Sequence, residues 1–175
     1  MGKTTALVLV AALAVTVLTG CATPTNDEGD AGMPEANSSL TLEAAKSLTI
    51  ERRDEIASFF PGENTGTVTA TEASKSLMPC RTEDSFGWPG RTTIVLAGDV
   101  DQAAALEPIA TEWEGRDGWT VERGTTKAGV PELVLDHEDG THVNVSYYQS
   151  GSELWVDAVS PCFDLPGGYT YGTEY

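Results

Sequence analysis

Basic side chains are scarce in this sequence. Its 175 residues contain 10 Lys and Arg against 27 Asp and Glu, with only 2 His, which gives a formal net charge of −17 at pH 7. Proteins that bind nucleic acids need a basic surface to neutralise phosphates, so the composition argues against a nucleic-acid partner. On composition alone, such acidity is more typical of a soluble exported protein than of an acidic binding site.

Long hydrophobic runs are also missing. The longest uncharged apolar segment extends from Ala6 to Leu18, whereas a transmembrane helix needs about 20 apolar residues. Lys3 precedes this segment and small residues follow it, which is the pattern of a secretory signal peptide. We therefore expect an exported protein that does not depend on a membrane-spanning helix.

The residues that end the apolar segment indicate the type of cleavage. Leu18-Thr19-Gly20-Cys21 resembles the lipobox of bacterial lipoproteins. The resemblance implies that residues 1–20 are a lipoprotein signal peptide and that Cys21 becomes the lipidated N-terminus, on the outer face of the cell membrane. Two acyl chains suffice for stable anchoring, since each buried CH₂ contributes about 0.8 kcal/mol. The alternative is ordinary signal-peptidase cleavage, but a clean A-x-A ending is missing.

Cysteine is limited to three residues. If Cys21 holds lipid, Cys80 and Cys162 remain, and an even pair in an oxidising compartment predicts a disulfide. Closing so long a loop would stabilise the fold by about 4 kcal/mol in the chain-entropy description. The alternative is a reactive or metal-binding thiol, but neither cysteine has a second thiol, a His or a Lys beside it.

Composition divides the rest of the chain into three segments. Residues 21–39 are rich in Pro, Gly, Asn and acids, and they predict a lipidated flexible tether. Residues 40–165 predict a single α+β domain. Residues 166–175 are rich in Gly and Tyr, and we expect a loose C-terminal tail.

Two amphipathic helices are expected. The first runs from Thr41, a capping residue, to Phe60, and Ile50 falls outside its apolar stripe. The second opens with a D-x-x-Q capping box at Asp99 and contains Pro108, which would kink or divide it.

Turn chemistry predicts a sheet in the last third of the chain. A three-residue loop at residues 138–140 pairs Leu135 with Val143, whereas a two-residue loop would scatter the apolar residues over both faces. Turns at residues 127–129 and 150–151 similarly pair Val121 with Leu135 and Val145 with Val156. All three turns agree on one apolar face, formed by Trp119, Val121, Leu133, Leu135, Val143, Val145, Tyr147, Leu154, Val156 and Ala158.

Two segments upstream of this meander are rich in β-branched residues and predict further strands. They are "TGTVTATEA" and "RTTIVLAG", with the Cys80 segment and a loop, "SFGWPG", between them. The expected fold class is therefore α+β: a four-stranded antiparallel meander, with one or two further strands, packed against two helices.

The two histidines are candidates for catalysis or metal binding. Residues 136–142, "DHEDGTH", bring two imidazoles and three carboxylates close together in the chain, which suggests a zinc site or a hydrolytic centre at a hairpin tip. The predicted register, however, places His137 on the face of Leu135 and His142 on the opposite face. We therefore expect no metal or other cofactor, and since a G-x-S-x-G elbow is missing, we assign no catalytic residue.

The outer face of the predicted sheet offers a candidate binding patch. The same register points Tyr148, Trp155 and Val159 away from the core, among polar neighbours, and exposed aromatics in such surroundings form binding surfaces. The alternative, which the sequence favours, is that the upstream strand, the Cys80 segment or the C-terminal tail covers this face.

The overall plan is similar to that of small exported lipoproteins of unknown function in high-GC Gram-positive bacteria. The shared features are a lipobox, an acidic chain with little lysine, two further cysteines and "SPCF" after the last strand. The resemblance implies a cell-envelope lipoprotein. Two hypotheses remain: a non-enzymatic module that binds an envelope protein or a small ligand, or a metal-dependent or hydrolytic enzyme acting at the 136–142 hairpin tip.

Overall fold

A computed structural model describes residues 39–81, 84–148 and 151–175. The predicted signal peptide, Cys21 and all but the last residue of the predicted tether lie outside these ranges. Within them, none of the helices combines the length and the apolar character that crossing a membrane requires.

Helix α1 is Leu42–Ser58. Thr41 caps it as predicted, because its hydroxyl accepts a hydrogen bond from the Ala44 N–H at 3.2 Å. Ile50, which lies off the predicted stripe, packs in a second apolar cluster formed by Ala45, Leu77, Trp88 and Phe163. Ile56 instead packs in the main core, between the helices and the large sheet. The helix therefore buries two different faces along its length, and a single stripe does not describe it.

Helix α2 is Gln102–Glu114. The predicted cap was wrong by two residues: Asp101, not Asp99, accepts the Ala104 N–H, at 3.1 Å. Pro108 lies inside the helix without dividing it. Proline has no N–H group to donate to the carbonyl oxygen four residues earlier in the helix. Because Pro108 is exposed, water can donate to that oxygen instead.

The main sheet contains six antiparallel strands. They are β1 (Thr65–Ala70), β4 (Pro89–Leu96), β5 (Trp119–Thr125), β6 (Pro131–His137), β7 (His142–Tyr147) and β8 (Glu153–Val159). Their order across the sheet is β1-β4-β8-β7-β6-β5. The α+β fold class is confirmed, with the four-stranded meander extended by two strands and packed against both helices.

All three predicted registers are confirmed. Leu135 pairs with both Val121 and Val143, and Val145 pairs with Val156. Gly140 has a φ of 95°, the left-handed conformation that a three-residue hairpin loop requires of its last residue. The predicted apolar face forms the main core together with residues from β4, from both helices and from the segment that follows α1, namely Ile94, Ile56, Leu106, Ile109, Trp113 and Phe60.

A second, small sheet was not predicted. Its strands are β2 (Met78–Pro79), β3 (Ser85–Gly87) and β9 (Phe163–Asp164), in the order β2-β3-β9. The predicted loop at residues 85–90 is thus wrong, since it contains β3 and the start of β4. The Cys80–Cys162 disulfide is confirmed, with a Cα–Cα distance of 6.3 Å, and it joins the end of β2 to the start of β9.

The C-terminal residues differ from the loose tail that their composition predicts. Tyr175 exchanges two backbone hydrogen bonds with Ser74, at 2.7 and 2.9 Å, and its carbonyl oxygen accepts the indole N–H of Trp88 at 3.1 Å. Tyr169 stacks on Tyr175. Trp88 is fully buried in the second cluster, so these residues satisfy the polar group of a buried indole.

Candidate functional site

The six-stranded sheet has a second face, opposite the main core, which we call the outer face. Strand pairing places five carboxylates on it, together with one arginine, one histidine and two aromatic rings. These residues are Glu122, Glu132, Asp136, Glu153, Asp157, Arg91, His142, Tyr148 and Trp155. The outer face is therefore acidic, like the chain as a whole.

The structure brings together two of the three residues of the predicted patch. The rings of Tyr148 and Trp155 stack, with centroids 4.4 Å apart and planes inclined by 28°. Val159 lies at the other end of β8, where its Cγ1 is only 2.7 Å from the point that a Cβ on Gly87 would occupy. The small sheet thus packs against Val159, and the aromatic pair stands apart from it.

Arg91 holds Trp155 from the other side. Its guanidinium carbon lies 3.7 Å from the centroid of the indole, and its Nε and Nη2 donate to the two oxygens of Asp157 at 2.5 and 2.9 Å. Asp157 and Glu153 flank Trp155 along β8. Arg91 lies across from Asp157 on one neighbouring strand, and Tyr148 lies across from Glu153 on the other side of β8. The guanidinium and the phenol therefore approach the indole from opposite sides.

Tyr148 is the open end of this stack. It is 42% exposed, and Val95, across from Glu153 on β4, is 40% exposed. Glu153 lies between them and accepts the Trp155 indole N–H at 2.9 Å. Of the segments that were expected to cover this face, β1 extends the sheet beside β4, the small sheet packs against Val159 alone of the three patch residues, and Trp88 packs in the second cluster with residues of the C-terminal segment.

The hairpin tip forms an ion-pair cluster. Arg52 donates to Asp139 and pairs with both of its oxygens at 2.9 Å, and the Thr141 N–H donates to the same carboxylate at 2.9 Å. Burial acts to raise the pKa of Asp139, but the hydrogen bonds from Arg52 and Thr141 outweigh it and hold this pKa well below its usual value. The carboxylate is thereby occupied in joining α1 to the hairpin.

The two histidines diverge, as the register predicts. His137 contacts the Trp119 ring on the core face, with centroids 4.9 Å apart. His142 lies on the outer face, where its Nδ1 is 2.7 Å from the Asp136 carboxylate. In the part of the chain that the structure describes, no three His, Cys, Asp or Glu side chains are arranged as metal ligands.

Arg91 and Val95 are site residues that sequence reasoning missed. A signal for their orientation exists, because alternation along β4 places Ile94 and Leu96 towards the core and Arg91, Thr93 and Val95 on the other face. No sequence signal identifies β8 as the partner strand, since a turn does not connect the two strands.

The comparisons with known proteins give one similar structure. No protein-family model matches this chain, and no curated protein sequence matches it. The crystal structure of a DUF4853 family protein from Actinomyces odontolyticus is similar, with 17% sequence identity and a TM-score of 0.46, over 72% of this chain and 70% of that chain. Neither value is high enough to indicate a function.

Proposed function

We propose that this chain is an exported lipoprotein, held on the outer face of the cell membrane through Cys21, whose domain binds another envelope protein. The lipobox-like sequence at residues 18–21 supports the anchor. The observation that supports binding is the Tyr148 ring, which is exposed on the outer face yet fixed in a stack with Trp155.

The stack is suited to binding because it is rigid before a partner arrives. The Tyr148 ring stacks on Trp155, and Arg91, which Asp157 holds by hydrogen bonds, lies against the opposite side of that indole. Side chains from β4, from β8 and from the residue after β7 thus form one stack. Ordering a side chain on binding costs about 0.5–1.5 kcal/mol, and a ring that is already held avoids much of this loss. Tyr, Trp and Arg are also the residues that contribute most at protein interfaces.

The proposed anchor leaves the domain accessible. A coil of residues 22–39 would separate the domain from the bilayer by roughly 25 Å. Residues 1–20 contain one Lys and no acidic residue, so cleavage before Cys21 leaves 9 basic and 27 acidic residues, a formal net charge of −18. Such a charge repels anionic headgroups and favours a domain that faces partners in the envelope.

Site-specific photo-crosslinking in the cells that make the protein tests both parts of the proposal. A crosslinking side chain at Val95 leaves Tyr148 and Trp155 intact, and the matched control position is Tyr171, which is 92% exposed in the C-terminal segment. We expect a discrete adduct from position 95 and none of that size from position 171. Tyr148→Ala should abolish the adduct, and Cys21→Ser should abolish fatty-acid labelling, membrane retention and the adduct together.

Two results would contradict the proposal separately. Fatty-acid labelling that persists in Cys21→Ser would show that this cysteine is not the anchor. An adduct pattern that is the same from positions 95 and 171, or unchanged by Tyr148→Ala, would show that the outer face is not the binding surface.

A further inference from the structure

We propose that the outer face recognises an arginine side chain of its protein partner, held against the phenol of Tyr148 and the carboxylate of Glu153. This inference rests on the proposed function and specifies the chemistry of the partner.

The molecule already contains one arginine site of this kind. The guanidinium of Arg91 stacks 3.7 Å from the centroid of the Trp155 ring and forms two hydrogen bonds to Asp157. The aromatic face beneath the guanidinium attracts its positive charge through a cation–π interaction. The carboxylate beside it accepts hydrogen bonds from two of its N–H groups. Arg91 thus shows that an aromatic ring beside a carboxylate on this face binds a guanidinium group.

The same combination recurs one step along the sheet without an arginine of its own. Tyr148 lies directly across from Glu153, and the phenol is 42% exposed. The Trp155 indole N–H fixes one oxygen of Glu153 at 2.9 Å, and the other oxygen has no partner among the described residues. The exposed side chain of Val95 lies on the far side of Glu153 and offers an apolar surface for the aliphatic part of an arginine.

Arginine fits this site better than lysine. A planar guanidinium stacks on a ring and presents parallel N–H donors, whereas an ammonium group is a compact, strongly hydrated charge. The occupant is expected to be a basic polypeptide segment, because the surrounding face has five carboxylates and a single arginine and the chain has a formal net charge of −17. Charge of this sign accelerates encounter with a cationic partner.

Peptide titration with the purified protein tests the inference. The probes are short fluorescent peptides that alternate Gly with Arg, with Lys or with Glu, and fluorescence anisotropy at low ionic strength measures their affinity. We expect the Arg peptide to bind, the Lys peptide to bind more weakly and the Glu peptide not to bind. Tyr148→Ala should weaken the Arg peptide by about threefold to tenfold, the range for loss of one cation–π contact, and Tyr148→Phe should retain binding.

Matched variants separate this site from general attraction to an acidic protein. Glu153→Gln removes the proposed carboxylate and should weaken the Arg peptide by about threefold. Glu43→Gln removes one charge from an exposed position in the first turn of α1, the helix that packs on the core face, and Tyr171→Ala removes another exposed ring. Both controls should leave the affinity unchanged.

The outcomes distinguish this inference from the proposed function. Failure of the Arg peptide to bind, equal binding of the Lys peptide, or equal loss in Glu43→Gln and Glu153→Gln would overturn the arginine site, and the crosslink at position 95 would still test the binding face. Arg-peptide binding that depends on Tyr148, without any crosslink in cells, would support the arginine site and contradict the proposed function.

Discussion

Arginine side chains position many of the carboxylates in this protein. Arg52, Arg53, Arg91, Arg116 and Arg123 each lie within ion-pair distance of an Asp or Glu. The Arg53 side chain is buried, whereas the other four arginines are partly exposed, and their pairs each contribute little stability, about 0–1 kcal/mol. Because acidic residues outnumber Lys and Arg by 27 to 10, such pairing still leaves an excess of carboxylates for a cationic partner.

The Arg52–Asp139 pair makes stability depend on pH. Burial alone would raise the pKa of Asp139, but its hydrogen bonds, chiefly from Arg52, lower this pKa below the ordinary value of 3.8. A group with a depressed folded pKa stabilises the protein above the unfolded pKa, and this contribution is lost as the pH falls through the folded pKa. Asp139→Asn should therefore lower the free energy of unfolding near neutral pH, by about 1 kcal/mol since solvent screens a side chain that is 35% exposed.

Urea unfolding over a series of pH values measures this effect. The difference between the wild type and Asp139→Asn should shrink progressively as the pH falls below about 4. Asp99→Asn, a change at an exposed aspartate, is the control. A difference that is constant with pH would show that Asp139 acts through packing or geometry and not through its charge.

At the scale of elements, local chemistry determines what could be predicted. The hairpins that join β5 to β8 were predicted in the correct register, because each turn length allows only one alignment that buries residues such as Leu135 and Val145. The pairing of β3 with β9 joins Phe86 to Phe163, and the pairing of β4 with β8 joins Arg91 to Asp157. No turn fixes either alignment. The sequence therefore predicted neither the small sheet nor the contact of Arg91 with Trp155 on the outer face.

The start of α2 allows a test of one corrected residue. Asp101 accepts the Ala104 N–H at 3.1 Å, and loss of such a cap costs about 1 kcal/mol. Asp101→Ala should therefore lower the free energy of unfolding by this amount, whereas Asp99→Ala should change it little. Thermal unfolding followed by circular dichroism compares the two variants, which remove the same charge two residues apart. Equal losses would mean that the charge near the helix start, and not the cap hydrogen bond, stabilises α2.

At the scale of the whole molecule, α1 connects the two apolar clusters. Ala45, in its first half, is fully buried in the cluster around Trp88, and Ile56, in its second half, is fully buried in the main core. If one half of α1 loses its packing in one cluster, the other half is destabilised as well, because the two halves form one continuous helix. We therefore expect the domain to unfold in a single cooperative transition.

The disulfide provides the test of this coupling. It closes a loop with a sequence separation of 82 residues and lies beside the second cluster, since Phe163 of that cluster follows Cys162 directly. Replacing Cys80 and Cys162 together with Ser should lower the free energy of unfolding by about 2–4 kcal/mol, because the unfolded chain regains the conformations that the bridge excludes. Cys21→Ser, which removes the remaining thiol, should leave the unfolding transition unchanged.

Denaturant unfolding followed separately by tryptophan fluorescence and far-UV circular dichroism measures both the loss and its cooperativity. In the double variant the two signals should still coincide, at a lower denaturant concentration, because α1 transmits the weakening of the second cluster to the main core. Two free thiols in the native, unreduced protein would contradict the bridge itself. Two separated transitions would instead show that the second cluster unfolds alone, so that the sheet and its outer face retain their structure when the region around Trp88 is lost.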